Sequence, residues 1–426
     1  MFIADFHIHS KYSRACSKKL TLPNISSFCQ IKGVDLIATA DFTHPIWFNE
    51  ISYKLKEENK GIYVLKKEYE HESQFIVPKS CKTKTRFILS TEISLIYKKN
   101  SKVRKIHHVI LSPNIETCTK INKTLGEIGN LRSDGRPILG LDSKLLLKIL
   151  LEISPDIELI PAHIWTPWFA IFGSKSGFDS VEECFDDLSE HIHALETGLS
   201  SDPKMNWQVG RNAPYMLISN SDAHSLEKIG REATIFDTEI SYPAILNALR
   251  KNHEKIIGTI EFFPEEGKYH LDGLMDENLS LTPLESKKYN LKSPKTGKNL
   301  TIGVAHRVFD LSDKNEGEKP KTARPYYSTI PLLEIISEIL QTGVQSKKVK
   351  QKYFETISAL GSELYILNTT PINEIKKTDE ILALAISNMR KGKVNIKAGY
   401  DGVYGSIKTL DPTTDLNKNQ TELFKF

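Results

Sequence analysis

Histidines and carboxylates recur through the first half of this 426-residue chain. The series begins in DFHIHS, where His7 and His9 lie two positions apart and therefore on one face of a strand. The segments ATADFTHP, LSTEIS, KIHHVIL, IPAHIW, ALETG and SNSDAHS add Asp41, His44, Glu92, His107, His108, His163, Glu196, Asp222 and His224. A lone strand histidine is more often a hydrogen-bonded polar group than a ligand, but a series of this kind indicates a metal site.

These residue types predict a site for divalent metals without sulfur ligands. The five cysteines are scattered and form no CxxC pair, which argues against a thiolate zinc site or a disulfide framework. Imidazoles and carboxylates suit two or three ions of Zn²⁺, Mn²⁺, Fe²⁺ or Mg²⁺, with a carboxylate bridging two of them. Such a site stabilises the attacking and leaving oxygens of an in-line displacement at phosphorus.

Not every histidine fits this site. His107 and His108 are adjacent, so strand alternation points them to opposite faces and only one is expected to be a ligand; we prefer His108. The second HxH, His191 and His193, precedes its strand, which favours a surface or capping role. The histidines without carboxylates at comparable spacing are interpreted as structural or solvated: His71, His253, His270 and His306.

The predicted ligands accompany short apolar runs that read as buried strands. These runs cover residues 2–6, 34–40, 86–91, 106–112, 157–164, 193–198 and 215–221. Helix-forming stretches such as 143–152 alternate with them, a pattern typical of an α/β layer or barrel. Because catalytic groups gather at the carboxyl ends of parallel barrel strands, we expect the ligands to meet at one end of a barrel.

The second half of the chain differs from the first in composition. From about residue 255 it is rich in lysine and turn formers, and helix patterns follow within STIPLLEIISEILQTG, at 346–360 and at 378–391. We therefore predict three domains: a barrel over 1–250, a small loop-rich module over 251–310 and a helical C-terminal domain over 311–426.

Composition argues against a membrane-spanning protein and against a strongly basic one. Apolar residues make up 39% of the chain and charged residues 26%, and no apolar run approaches the roughly 20 residues of a membrane span. With scattered cysteines and no signal-peptide pattern, we expect a cytoplasmic protein without a membrane partner. The net charge of +4 is small, so a nucleic-acid surface would have to be a local patch.

The motif order HxH, DxxH, E, H, H and DxH resembles the polymerase and histidinol phosphatase (PHP) superfamily, whose distorted (β/α)₇ barrel binds a trinuclear metal cluster. Longer stretches resemble the endonuclease Q family of DNA repair enzymes: TLPNISSFCQIKGVDLIATADFTHPIW, GNLRSDGRPILGLDS, PAHIWTPWFAIFGSKSGFDSVEECF, ALETGLSSDPKMNW and LISNSDAHS. The resemblance continues through LTIGVAHRV, IPLLEIISEIL, GVQSKKV and AGYDGVYG, and so covers nearly the whole chain.

The resemblance implies hydrolysis of DNA on the 5′ side of a deaminated base (uracil, hypoxanthine or xanthine) or of an abasic site, by a metal-bound hydroxide. It implies these metal ligands: His7, His9, Asp41, His44, Glu92, His108, His163, Glu196, Asp222 and His224. Among them, a direct catalytic part is expected for His7, His9, Glu92, Glu196 and Asp222. The protein is expected to be a monomer, and a sliding-clamp partner is left open.

One segment departs from the family. Where the family carries the zinc-binding C-P-x-C-G-K, this chain has Ser293, Pro294, Lys295, Thr296, Gly297 and Lys298. Hydroxyls cannot replace thiolates as structural zinc ligands. The zinc-ribbon-like module must therefore fold through core contacts alone or remain loose, and its contact with DNA is in doubt.

Several residues are candidates for DNA contact. Trp165, Trp168, Phe169 and Phe172 follow His163 and could stack on a base that is extruded for inspection, or could merely cap the barrel. Arg132 and Arg136 suit phosphate contacts, although an ion pair with Asp134 would explain one of them. Lys347 and Lys348 form either a phosphate-binding patch or a solvated helix face.

Two other functions compete with a lesion-directed endonuclease. A small-molecule phosphatase could use the same barrel, but it would not need the C-terminal third of the chain. An accessory DNA-repair protein without catalysis is also conceivable, but the ligand set implied by the family pattern is complete, which argues against it.

Overall fold

The computed structural model describes residues 1–411. Its strands are β1 (Phe2–Asp5), β2 (Leu36–Ala38), β3 (Leu55–Asn59), β4 (Ile62–Leu65), β5 (Arg86–Lys99), β6 (Lys102–Ser112), β7 (Ile138–Leu139), β8 (Glu158–Pro161), β9 (Ala194–Glu196), β10 (Met216–Ile218), β11 (Ala233–Phe236), β12 (Ile256–Glu261), β13 (Asp272–Leu274), β14 (Leu279–Leu281), β15 (Tyr326–Ser328), β16 (Asn395–Lys397) and β17 (Ser406–Lys408).

Helices cover the barrel and make up most of the C-terminal region. They are α1 (Leu22–Lys32), α2 (Pro45–Lys54), α3 (Ile115–Ile128), α4 (Ser143–Ile153), α5 (Val181–Phe185), α6 (Pro203–Trp207), α7 (Tyr242–Arg250), α8 (Pro283–Lys288), α9 (Val304–Leu311), α10 (Leu332–Leu340), α11 (Lys347–Leu360), α12 (Glu363–Asn368), α13 (Ile372–Thr378) and α14 (Glu380–Arg390). No helix within residues 1–411 is long and apolar enough to cross a membrane.

The predicted fold class is confirmed: seven strands form a distorted barrel. β1, β2 and β5 pair in parallel, β6 pairs antiparallel with both β5 and β8, and β9 pairs in parallel with β10. β9 lies beside β8, where the Ile164 amide donates to the Glu196 carbonyl. A bridge between Ile8 and Ala223 brings the segment after β10 back to the segment after β1.

The β5–β6 hairpin differs from the expectation of a parallel barrel. β5 does not end at residue 91 but runs for 14 residues, and the chain returns antiparallel after Asn100 and Ser101. Both turn residues have left-handed φ values, 53° and 59°, which fit a two-residue hairpin turn. Glu92 and His107 therefore lie in the middle of paired strands rather than at the carboxyl ends of parallel ones.

The main sheet continues beyond the barrel. β11 and β12 extend it antiparallel from β1, and β15 then pairs in parallel with β12. β12 and β15 belong to the regions predicted as the module and the C-terminal domain, so both regions are joined to the barrel through one sheet. The domain boundaries at 250 and 310 stay a prediction.

The C-terminal helices have a hydrophobic core of their own, formed by residues such as Ile335, Ile357 and Ile386. A buried ion pair joins this region to the barrel: Lys32 Nζ on α1 lies 2.7 Å from Glu363 Oε2 on α12. Tyr353 donates to the same oxygen at 2.7 Å. Removing one partner of a buried ion pair is costly, so this pair fixes where the helices attach to the barrel.

The module without zinc ligands is folded around side-chain hydrogen bonds. The hydroxyls of Ser293 and Thr296 both donate to the Glu277 carboxylate, and Ser293 Oγ accepts from the Lys295 amide at 3.1 Å. Deeper in the module, buried His306 Nδ1 lies 2.5 Å from Asp272 Oδ2. A carboxylate thus joins the two hydroxyls of the segment that was predicted to lack zinc ligands.

Candidate metal centre

Four of the predicted ligands converge inside the barrel. His7 and His9 follow β1, Glu92 lies on β5, and Asp222 follows β10. One ligand atom from each of these four residues lies within 4.8 Å of the others. Four side chains from three distant parts of the chain therefore surround one point.

A second group adjoins the first. Glu92, His107 and His163 also offer ligand atoms within 4.8 Å of one another. Glu92 Oε1 lies 2.7 Å from His107 Nδ1 and 3.2 Å from His163 Nε2. Since Glu92 belongs to both groups, its carboxylate is placed to bridge two metal ions.

His7 carries the signature of a metal-binding imidazole. Its Nδ1 lies 3.0 Å from Glu196 Oε2, while its buried Nε2 has no hydrogen-bond partner among the described residues. An imidazole that donates Nδ1–H to a carboxylate directs its Nε2 lone pair at a metal. The donor set, with histidine and carboxylate and no thiolate, fits divalent ions such as Zn²⁺ or Mn²⁺.

Glu196 contacts two of the predicted ligands, His7 and His163. Besides His7, its carboxylate accepts from the His163 amide at 2.7 Å and from Asn220 Nδ2 at 2.8 Å. These bonds reach both oxygens, and Glu196 lies outside the two ligand groups. Glu196 is therefore placed to orient His7 and His163, and its part as a ligand stays a prediction.

The preference for His108 over His107 is corrected. His108 points to the opposite face of β6, where its Nε2 lies 2.9 Å from Ser143 Oγ and its ring packs on Phe185. The long antiparallel pairing with β5 sets this register, placing His107 opposite Ser94 and beside Glu92. Burial lowers the pKa of His107 to about 4, so its imidazole is neutral and able to bind a metal.

Three further predicted ligands lie outside the two groups. Asp41 Oδ1 is 3.4 Å from His9 Nδ1, so Asp41 orients His9. His44 accepts from the Trp47 amide at the start of α2, and its ring stacks on Tyr12. His224 lies at the edge, with its ring 4.5 Å from the His9 ring. The structure thus brings Asp41 and His224 to the site without placing them in either ligand group, and it places His44 beside the barrel helix.

Three residues of this site have a left-handed backbone conformation. Asp41, His163 and Asp222 have φ values of 42°, 31° and 46°, a region that residues with side chains rarely adopt. Strained residues persist where the surroundings over-determine them, most often at functional sites. Gly135 adds a tight approach, because a side chain there would strike Asp41.

The carboxylates dominate the electrostatics. Burial alone lowers the pKa of His7, but the charges of Glu196, Glu92 and Asp222 raise it well above its ordinary value. Burial raises the pKa of Glu92, but its basic neighbours His107 and Arg136 bring it well below its ordinary value. Arg136 Nη1 lies 2.9 Å from Glu92 Oε2. The site therefore concentrates negative charge that cations can balance.

The candidate DNA-contacting residues separate into two kinds. Trp165 and Phe172 are buried and pack on each other, which favours the alternative that they cap the barrel. Trp168 is 46% exposed, and Phe169 is half-buried with its ring 4.6 Å from the His107 ring. Arg132, Lys347 and Lys348 are exposed, while Arg136 pairs with Glu92 rather than with Asp134.

A cavity of about 530 Å³ opens beside the metal centre. Thr166 and Pro167, which follow His163, line one side, and Leu199 and Ser200, which follow Glu196, line another. The remaining wall comes from the barrel, the module and the C-terminal region. Its cations and aromatic rings are Lys228, Arg231, Lys268, Phe262, Tyr269 and Tyr404, and its carboxylates are Glu266 and Glu334. Sequence reasoning missed this wall because it depends on how distant segments pack.

The chain matches two family models over part of its length. Residues 331–393 match the model described as MJ0043 C-terminal domain, and residues 211–253 match the model described as PHP-associated. Among curated proteins, the uncharacterized protein YqxK of Bacillus subtilis is 28% identical over 95% of this chain and 98% of its own length. The uncharacterized protein MJ0043 of Methanocaldococcus jannaschii is 35% identical over 60% of this chain, which corresponds to 33% of that protein.

Two solved structures match nearly the whole chain. The lesion-specific endonuclease PfuEndoQ from Pyrococcus furiosus is 30% identical, with a TM-score of 0.83 and 98% of each chain covered. An endonuclease Q complex with a 27-mer duplex containing an abasic lesion is also 30% identical, with a TM-score of 0.81 and 96% of each chain covered.

The barrel, the histidine–carboxylate cluster and these matches together define a PHP-type enzyme. More narrowly, the chain belongs to the endonuclease Q family.

Proposed function

We propose that this protein is a DNA repair endonuclease that hydrolyses the phosphodiester on the 5′ side of a deaminated base or an abasic site. The observation that carries the proposal is the pair of ligand groups that share Glu92 inside the barrel. Two adjacent metal positions suit in-line displacement at phosphorus. The structural likeness to an endonuclease Q bound to a duplex with an abasic lesion supports DNA as the substrate.

The chain's own residues would hold and orient the metal ions. His7, His9, Glu92 and Asp222 would bind one ion, and Glu92, His107 and His163 another. When bound, such ions activate water for attack and stabilise the charge that develops on the phosphate oxygens. Glu196 and Asp41 keep His7 and His9 in the tautomers that the site needs.

Arg136 is the cation best placed to meet the scissile phosphate. Its guanidinium is partly exposed and already lies 2.9 Å from Glu92 at the metal centre. An arginine can bind two phosphate oxygens at once, which would fix the register of the backbone. Arg132, Lys347 and Lys348 are exposed and would contact more distant phosphates, without any part in sequence recognition.

The cavity beside the metal centre would receive an extruded nucleotide. Its volume of about 530 Å³ exceeds what a single base needs. Aromatic and cationic side chains line it, together with the carboxylates of Glu266 and Glu334. Extrusion from a duplex costs a few kcal/mol and is cheapest where pairing is weakened or a base is missing. Selectivity for damaged DNA would follow from this cost together with contacts inside the cavity.

A nicking assay on labelled duplexes tests the proposal. Each duplex carries one uracil, one hypoxanthine, one abasic site or no lesion, and is incubated with Mn²⁺, Mg²⁺ or Zn²⁺. We expect a nick 5′ to the lesion. In Asp222→Ala the rate should fall by about 10²-fold or more, since Asp222 belongs to a ligand group. Asp237→Ala is the matched control, because Asp237 is exposed and pairs with the N-terminus.

A small-molecule phosphatase is the alternative function. It predicts hydrolysis of p-nitrophenyl phosphate without nicking of any duplex. Equal cleavage of damaged and undamaged DNA would also contradict the proposal, because lesion recognition would then be absent.

A further inference from the structure

Thr166 lies in the aromatic loop, defined here as residues 165–172. Its hydroxyl is within hydrogen-bond distance of the metal centre and of another residue of the same loop. Its Oγ1 lies 3.0 Å from His163 Nδ1 and 3.1 Å from the Trp168 carbonyl oxygen. A hydroxyl has one proton and can also accept. Two acceptors face this proton, the Trp168 carbonyl at 3.1 Å and the His163 carbonyl at 3.2 Å. With the proton on the Trp168 carbonyl, Thr166 accepts from His163 Nδ1–H, which leaves His163 Nε2 facing Glu92.

The other side of the loop is bonded to the second histidine of the same ligand group. The His107 amide donates to the Phe169 carbonyl at 3.1 Å, and the two rings lie 4.6 Å apart. Trp168, 46% exposed, stands between these two attachments. The most exposed ring of the loop is thus one residue away from a contact to His107 and two residues away from a contact to His163.

The loop is held at both ends by packing and hydrogen bonds. Trp165 and Phe172 are buried at its two ends, and Trp165 Nε1 donates to Asn206 at 2.7 Å. The Phe172 amide donates to the Ile164 carbonyl at 3.0 Å. Gly173 lies against the Thr166 and Pro167 carbonyls so closely that a side chain would collide with them. A displacement of Trp168 would therefore also displace Thr166.

We propose that Thr166 is a positioning residue that links contact at Trp168 with the orientation of His163. Metal binding at Glu92, His107 and His163 and nucleic-acid contact at Trp168 then strengthen each other. By linkage, the factor by which metal improves DNA affinity equals the factor by which DNA improves metal affinity. The DNA half of this proposal rests on the proposed function, whereas the effect on metal affinity does not.

The first experiment measures metal affinity without DNA. Zn²⁺ is added back to chelator-treated protein, and its dissociation constant is measured by competition with a chromogenic chelator. Thr166→Val should weaken binding by about 10- to 100-fold, the usual effect of losing a partner of a ligand histidine. Thr166→Ser keeps the hydroxyl and should stay within about 3-fold of wild type.

Thr85→Val is the matched control, because the Thr85 hydroxyl also donates to a backbone carbonyl but lies in neither ligand group. Tryptophan fluorescence gives a second readout. Zn²⁺ should change the emission of wild type and Thr166→Ser, and the change should be small in Trp168→Phe and in Thr166→Val. The proposal would be overturned if Thr166→Val bound Zn²⁺ as tightly as wild type and showed the same change in emission.

The second experiment measures the coupling itself, with an abasic duplex that carries a non-cleavable methylenephosphonate at the scissile position. Zn²⁺ should tighten duplex binding several-fold in wild type and Thr166→Ser, but not in Thr166→Val. Persistent coupling in Thr166→Val would overturn the link. If wild type neither binds nor nicks damaged DNA while Thr166→Val still loses Zn²⁺ affinity, the proposed function fails and the role of Thr166 towards His163 stands.

Discussion

His7 donates its Nδ1 hydrogen to Glu196, 3.0 Å away, and turns an otherwise unpartnered Nε2 towards Glu92 and Asp222. Glutamine at position 196 would keep the size of the side chain, but its amide hydrogens would face the His163 amide and the His7 ring. We expect Glu196→Gln to lower metal affinity by about 10- to 100-fold. A metal-competition titration measures this, with Glu190→Gln, an exposed glutamate, as control. Unchanged affinity would contradict the orienting role.

The two adjacent histidines of β6 should behave differently on substitution. His107→Ala should weaken metal binding and abolish nicking, because His107 belongs to a ligand group. His108→Ala should leave metal affinity within about 3-fold of wild type but destabilise the fold by on the order of 2 kcal/mol, since a buried side chain packed on Phe185 is removed. Metal titration and urea unfolding of both variants separate the two effects. The reverse pattern would restore His108 as the ligand.

The two tryptophans of the aromatic loop offer a similar contrast. Trp165→Ala should cost about 3–5 kcal/mol of unfolding free energy, because Trp165 is buried. Trp168→Ala should leave stability nearly unchanged but weaken binding of a damaged duplex by about 1–3 kcal/mol, the range for loss of one stacked base. Fluorescence anisotropy with an abasic duplex measures the second effect. Unaltered DNA affinity in Trp168→Ala would exclude stacking by this ring.

Glu261 gives the fold a dependence on pH. It is fully buried, and this burial raises its pKa from 4.5 to about 8. Because the folded pKa lies above the unfolded one, the free energy of unfolding should fall as pH rises from about 4.5 to about 8.

Glu261→Gln removes this titration. At pH 8 we expect it to be more stable than wild type by about 1–3 kcal/mol, since one pKa unit is worth about 1.36 kcal/mol, and the difference should shrink towards pH 5. Urea unfolding of chelator-treated protein at both pH values measures it. A difference independent of pH would contradict the raised pKa. Buried Glu232, whose pKa burial also raises, should act in the same direction.

The module should keep its fold without a metal ion. Ser293 and Thr296 donate to Glu277, so chelator treatment should leave its rate of proteolytic cleavage unchanged. Glu277→Ala removes the common acceptor and should speed cleavage several-fold, whereas Glu254→Ala, outside the module hydrogen bonds, should not. Limited proteolysis with mapping of the cut sites measures the rate of cleavage within the module. Cleavage in the module that accelerates on chelation would show that a metal stabilises it.

The sequence predicted the fold class and the core of the site because both depend on local patterns. Strand–helix alternation indicated the barrel, and the series from His7 to Asp222 indicated which strands meet. Matching a family pattern did not separate the residues that fall in the two ligand groups from those that lie beside them, such as Glu196 and Asp41. That difference depends on the distances between side chains that distant parts of the chain bring together.

The pairing register of β5 and β6 was the second feature that the sequence did not predict. The choice between His107 and His108 depended on where the β5–β6 hairpin turns, and the predicted strand ended too early to show it. Trp165 and Trp168 have the same residue type and almost the same position in the sequence, yet one is buried and the other exposed. Only the packing of the loop distinguishes them.

The turn at Asn100 and Ser101 therefore has an influence that reaches well beyond its surface location. It lies five residue pairs from the pair of Ser94 and His107, or about 17 Å at the usual rise per residue. An insertion there that moved the pairing by one residue would shift every pair of the ladder and exchange the faces of His107 and His108. Which imidazole meets Glu92 thus depends on the register that this solvent-side turn helps to set, and insertions or deletions that change the register would act as active-site mutations.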